Sequence, residues 1–212
     1  VAYSLHGRFH DALEAISRAV EWYPSMEYLR TLGEAYFAIG MSEEGFRSLW
    51  TVCAGMTDCT AEFLNTVPSR YKDDAGRWAT AQNNGRTLDG FLVERLNHVR
   101  TLKIELPNGD NLSYARIAVK VGDIRAAKEF YEKVIADARD FGSGNPSYYL
   151  NAGVELAGIY RDERYRFEER RVLETVNRYA DFSEDRNELS RLLYSMIIEN
   201  YRAAGETDKA GF

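Results

Sequence analysis

The sequence predicts an all-α fold, a solenoid of antiparallel helix hairpins in about five to six units, partly divergent, and three observations carry that prediction. One helical hairpin pattern is stated twice between residues 2 and 52, with the turn glycines Gly7 and Gly40 only 33 residues apart. It returns from Tyr114 to Ile135, in YARIAVKVGDIRAAKEFYEKVI, again with a glycine at the turn (Gly122) and an alanine at the helix crossing (Ala127). Only four prolines interrupt 212 residues and the sixteen glycines are scattered, so no linker or compositional domain boundary is visible. The chain therefore predicts as one array, regular over 1–52, a divergent repeat or insertion over 53–107, and longer in period over 108–212.

Each hairpin needs a small residue where its helices cross, bulk one turn away, and a glycine that accepts the left-handed conformation ending a helix. In the second hairpin Gly33 and Gly45 are the small residues, Leu32, Tyr36 and Leu49 the bulk, and Gly40 the turn; in the first, Tyr3, Gly7, Phe9, Ala12, Ile16, Ala19 and Pro24 stand in equivalent places. Between Cys53 and Pro107 the pattern fades, with Gly85 as one more candidate turn. Leu88, Leu92, Val99, Leu102 and Leu106 form one stripe and predict a single long helix, although TLKIEL at its end alternates like a strand. Pro107 stops it, and Asp110 or Asn111 is placed to cap the next helix. Further on, Ala157, Tyr160, Leu173 and Val176 keep the spacing while Arg164 replaces the turn glycine and Glu169 the small crossing residue. GSGNPS (142–147) punctuates two hairpins, and Tyr201, Gly205 and Ala210 open a last copy that is cut off.

These positions resemble the tetratricopeptide repeat (TPR), a family with a small residue, then Tyr, Gly, a second small residue, an aromatic, Ala and Pro over about 34 residues. The resemblance implies a right-handed superhelical solenoid that binds a protein or peptide in a groove lined by the first helices of successive hairpins. Carried over, those groove positions are Arg30, Glu34, Phe37 and Ala38, then Arg116, Val119 and Lys120, then Arg161 and Asp162, and last Glu199 and Arg202. Members of the family that capture a chaperone's terminal carboxylate use Lys and Asn at two of these sites. Here the second position is Glu34, Arg116, Gly158 and Glu199, which departs from that pattern. TPR regions also occur in bacterial exopolysaccharide secretion machines, and a periplasmic segment of that kind, acting as spacer, polymer guide or docking site, is the alternative role. For that alternative the candidate anionic or carbohydrate patch is Arg70, Arg77 and Trp78, in the only locally basic region, Ser69 to Lys103, with seven basic against four acidic residues.

Composition narrows the remaining classes. The formal net charge of −6 is spread along the chain and argues against nucleic acid, whose phosphates demand a basic surface. No apolar run is long enough to span a bilayer, and no signal peptide is visible, so either a cytoplasmic or a periplasmic setting is compatible with a soluble segment. Val1 falls inside a hairpin's first helix and Phe212 inside another's second, the arrangement of a piece of a longer array whose apolar ends, around Tyr3, Phe9 and Ile16, would self-associate.

Catalysis and metal binding find no constellation. His6 and His10 have no third ligand near, and His98 reads as a solvated surface residue. GSGNPS lacks the Gly-Lys-Ser/Thr of a phosphate loop, and Asn111-Leu112-Ser113 is a glycosylation acceptor only in a secreting eukaryote. The adjacent pairs Asp73-Asp74 and Glu168-Glu169 diverge on a helix. Arg161 to Arg171, five arginines among four acids, reads as a solvated face rich in ion pairs. Cys53 and Cys59 match no zinc or redox spacing; a disulfide in a loop or two reduced thiols at a helix end are both open. The expectation is a non-enzymatic binding scaffold without cofactors, its partner a protein or peptide and, in the alternative role, a polysaccharide.

Overall fold

Helices account for most of the described residues because apolar residues recur at helical spacing, and several of the short breaks between them carry a cap or a left-handed turn. The computed structural model describes residues 8–56, 58–84, 90–137, 146–180, 188–206 and 209. Among these residues there are eleven α-helices and no strand, so the chain is all-α with consecutive helices packed on one another. They are α1 (Phe9–Trp22), α2 (Met26–Ala38), α3 (Ser42–Ala54), α4 (Cys59–Thr66), α5 (Lys72–Asn84), α6 (Gly90–Leu102), α7 (Asn108–Lys120), α8 (Ile124–Asp137), α9 (Pro146–Asp162), α10 (Arg166–Ala180) and α11 (Leu189–Ala203). A 3-10 turn, Ser69–Tyr71, precedes α5. Tyr3, His6, Gly7, Gly85, Leu88, Gly142 to Asn145 and Ala210 lie outside the described residues. The chain divides into two compact units, 1–123 and 124–212.

In the first unit, α2 and α3 form the most extensive helix pair. Their crossing is where the sequence places it: a Cβ on Gly33 would stand 3.0 Å from Leu49, and one on Gly45 only 2.8 Å from the Phe37 ring. Ser25 caps α2, its hydroxyl accepting from the Tyr28 N–H at 3.1 Å. Val20, Leu29, Leu32 and Val52 make the apolar core that joins α1 to this pair, with Leu13, Ile16, Met26 and Tyr36 against it.

α3 touches both α4 and α7, so the chain from Gly55 to Pro107 leaves α3 and returns to it. The return is close. A Cβ on Gly55 would meet Ser113 at 2.7 Å, and the Tyr114 hydroxyl donates to the Pro24 carbonyl at 2.6 Å from a fully buried position. Asp110 and Asn111 do not cap α7. Asp110 accepts from the Met26 N–H at 3.4 Å, and the buried Asn111 donates to the Leu106 carbonyl at 2.8 Å, because α7 enters against neighbours that need these groups. The single helix expected from 88 to 106 ends at Leu102, where Lys103 takes a left-handed φ of 51°; TLKIEL is thus split, its first two residues helical and Lys103 to Leu106 neither helix nor strand.

In the second unit α9 and α10 are the principal pair, flanked by α8 and α11. Gly153 is a crossing residue missed by the sequence pattern, with a Cβ there only 2.4 Å from Val176. Polar bonds tie the flanks: Tyr131 donates to Glu155 at 2.7 Å, Tyr160 to Glu132 at 3.2 Å, and Lys128 pairs with Glu163.

The turn residues share one geometry. Gly40, Gly122 and Gly205 have φ of 84°, 80° and 76°, and Arg164, standing where glycine was expected, has φ of 65°. At each, the next N–H bonds five residues back: Met41 to Tyr36 at 3.0 Å, Asp123 to Ala118 at 2.9 Å, Tyr165 to Tyr160 at 2.8 Å and Glu206 to Tyr201 at 3.0 Å. A side chain in this conformation costs about 1 kcal/mol. Arg164→Gly is therefore expected to raise unfolding stability by about 0.5 to 1 kcal/mol, read from the urea midpoint at unchanged slope; a lower midpoint would contradict this account.

Candidate functional site

One concavity of the first unit is an open groove of about 800 Å³. Its floor is apolar, from Leu29, Leu32 and Tyr36 of α2. One wall is α3, through Glu44, Arg47, Ser48 and Thr51, and the opposite wall is α6, through Phe91, Glu94, Arg95 and His98. The wall residues recur at three and four positions, which keeps them on one face of each helix. His98 is not simply solvated: its Nε2–H donates to the Glu21 carbonyl at 2.9 Å and ties α6 to the end of α1. Arg47 pairs with Glu43 of its own helix at 2.5 Å.

A second groove of about 470 Å³ opens between α1 and α2, lined by Phe9, Ile16, Tyr28, Glu34 and several alanines. Two of the residues expected to form an exposed apolar end, Phe9 and Ile16, lie here.

The carried-over groove residues fall in both units and differ in their surroundings. Phe37 is buried at 2% exposure beneath Gly45, stacked on Tyr71 at 5.2 Å, and is unavailable to a partner. Arg30 is half-buried, and Glu34 lies in the α1–α2 groove. Arg116 donates to the Gly55 carbonyl at 3.2 Å, and Lys120 sits 4.5 Å over the Trp50 ring and 3.8 Å from the Cys59 sulfur. In the second unit, Arg161 and Glu199 meet in an ion pair at 2.9 Å, and Arg202 is exposed near the end of α11.

The patch of Arg70, Arg77 and Trp78 is also dispersed. Trp78 is half-buried among Phe46, Trp50, Phe63 and Phe91, with ring centroids 5.6 to 6.0 Å away. Arg70 donates to the Phe37 carbonyl at 2.6 Å and lies 4.7 Å over Tyr71, while Arg77 pairs with Asp74 on the exposed side of α5. The aromatic cluster anchors α4 and α5 to α3.

Arg161 and Glu169 repeat the positions of Phe37 and Gly45, and the substitution is reciprocal. Where α2 and α3 pack an aromatic ring on a glycine, α9 and α10 pack a guanidinium on a fully buried carboxylate at 2.8 Å. Arg161 reaches Glu199 as well, and Arg166 approaches Glu169 at 3.6 Å. Removing Arg161 leaves a buried carboxylate with only that distant cation, whereas removing Glu169 leaves a guanidinium that keeps Glu199 and solvent.

Neither cysteine is in a disulfide; Cys53 is buried and Cys59 half-buried. Burial, and secondarily Cys59 and Glu62, push the Cys53 thiol up to about 12. Among the described residues no group of three or more His, Cys, Asp or Glu is placed to hold a metal ion. No helix described is long and apolar enough to cross a membrane. No protein-family model matches the chain, and no curated protein matches it in sequence.

Two outcomes follow from these sites. Arg161→Ala should cost about 3 kcal/mol in urea unfolding and Glu169→Ala about 1, with the double variant closer to Glu169→Ala; additive losses would refute the buried-pair account. Iodoacetamide at pH 8.5 should label Cys59 and spare Cys53 in the folded chain. Since the folded Cys53 thiol titrates above its unfolded value of 9.0, its contribution is intact below pH 9 and is lost as pH rises toward 12. Cys53→Ala should therefore flatten the alkaline loss of stability, measured by urea unfolding across that range.

Proposed function

We propose that this chain is a non-catalytic interaction scaffold of TPR type, binding a protein or peptide partner through a helical groove. The observation that carries the proposal is the groove between α2–α3 and α6: an apolar floor that includes the Tyr36 ring, flanked by walls bearing both charges and the Phe91 ring. An apolar trough with a polar rim is what an amphipathic helix or short peptide needs, since the floor supplies burial and the rims supply register. The positive-φ turns and the Gly33–Gly45 crossing support the family reading independently of the groove. Mixed charge on the rims, Glu44 and Glu94 with Arg47 and Arg95, favours a partner of alternating polarity over a uniformly charged polymer. For the polysaccharide alternative, the engagement of Trp78 within the aromatic cluster leaves little free ring face.

Peptides selected from a random displayed library against the immobilised chain test the proposal. Their affinity should fall at least tenfold on the Arg47→Glu and Arg95→Glu double variant, about 1.4 kcal/mol, with unchanged helical circular dichroism. Full-strength binding by that variant would exclude this groove.

A further inference from the structure

A separate groove, of about 560 Å³, lies in the second unit between α8 and α10 over α9. Its floor is apolar, with Leu156 fully buried and Val172 nearly so, and Ile135 of α8 forms part of the facing wall. Arg171, Thr175 and Arg178 line the α10 wall. Seven helical residues bring the two arginines back to one face about 10 Å apart, with Thr175 between them.

These arginines differ from the others on α10. Arg166 and Arg170 are engaged with Glu169 and Glu206, whereas among the described residues neither Arg171 nor Arg178 meets a carboxylate or hydrogen-bond acceptor through its side chain, and both are exposed. Thr175 turns its hydroxyl back to the Arg171 carbonyl at 2.7 Å and leaves its methyl available to apolar contact. Glu132, the acid of the opposite wall, accepts the Tyr160 hydroxyl at 3.2 Å. The groove thus joins an apolar floor to two exposed guanidinium groups at helical spacing, facing the single acid Glu132 of the opposite wall.

We infer that this groove docks an acidic amphipathic helix, with two carboxylates seven residues apart on Arg171 and Arg178 and the apolar residues between them over Leu156, Val172 and Ile135. Charge complementarity selects the acidic partner, because an arginine gains most from a carboxylate it can grip with two N–H groups. The spacing selects a helix. An antiparallel or parallel helix beside α10 repeats its carboxylates at the same rise and turns its i+3 and i+4 residues to the floor.

The test uses a fluorescein-labelled synthetic helical peptide with two glutamates seven residues apart and leucine or isoleucine at the third and fourth positions between them, titrated against the full 212-residue chain by anisotropy. The expected result is saturable binding that weakens at least tenfold with Arg171→Glu and Arg178→Glu, and comparably when both peptide glutamates become glutamine. A peptide with lysines at those two positions should recover binding to the double variant. Arg171→Gln and Arg178→Gln, which keep side-chain bulk, should give an intermediate loss, and thermal melts establish that all variants are folded. Undiminished binding by the double Glu variant, undiminished binding of the glutamine peptide, or no saturable binding would overturn the inference. So would a scrambled peptide of the same composition, or inorganic polyphosphate of equal charge, competing as well as the designed helix.

Discussion

The left-handed residue at the end of a helix is the constraint on which both units depend. At Gly40, Gly122, Arg164 and Gly205 one backbone conformation reverses the chain within two or three residues and satisfies carbonyls that the preceding helix would leave bare. Within each unit, so short a reversal at Gly40 and at Arg164 lays the next helix back against the last, which is how α2 meets α3 and α9 meets α10. The crossing residues then decide how close the helices come. The chain keeps this closure even where the glycine is absent, at Arg164, which indicates that packing between α9 and α10 outweighs the local strain.

The two units solve the crossing differently. In α2–α3 a glycine admits an aromatic ring, and the surroundings continue as a cluster running through Phe46, Trp50, Phe63, Tyr71 and Trp78. In α9–α10 the same pair of positions holds Arg161 and Glu169, surrounded by inter-helix polar bonds such as Arg170 to Asn200 at 3.0 Å and Tyr201 to Glu174 at 2.7 Å. Apolar contact tolerates small shifts, whereas a buried ion pair enforces one geometry at a desolvation cost. In the second unit directional bonds thus add to the apolar Gly153–Val176 crossing and tie α11 to α10, while Arg171 and Arg178 line the groove on α10.

The stretch from Gly55 to Pro107 shapes the proposed groove of the first unit. It leaves α3 through α4, forms the aromatic anchorage of α5, and returns through α6 to α7, which packs directly on α3. α6 becomes the far wall because His98 fastens it to the Glu21 carbonyl while its apolar residues Leu92, Leu96 and Val99 are buried. The region where the repeat pattern fades thus supplies the far wall of the groove. That coincidence follows from the geometry of repeats: a regular hairpin spends its surfaces on its neighbours, and a departure leaves a surface free.

From its own residues the sequence determined the helical class, the Gly33 and Gly45 crossing, and the turns at Gly40, Gly122, Arg164 and Gly205, since periodicity and glycine preference are local and written into neighbouring positions. It also located the odd stretch between Cys53 and Pro107. Only the tertiary structure decided which polar residues remain available. Phe37, Arg70, Arg116 and Arg161 look alike in sequence to exposed groove residues, yet each finds a partner on another element: a ring, a carbonyl, a backbone turn, a buried carboxylate. Whether a charged side chain is spent internally or faces outward depends on what long-range packing brings beside it, and no spacing rule within one helix contains that information.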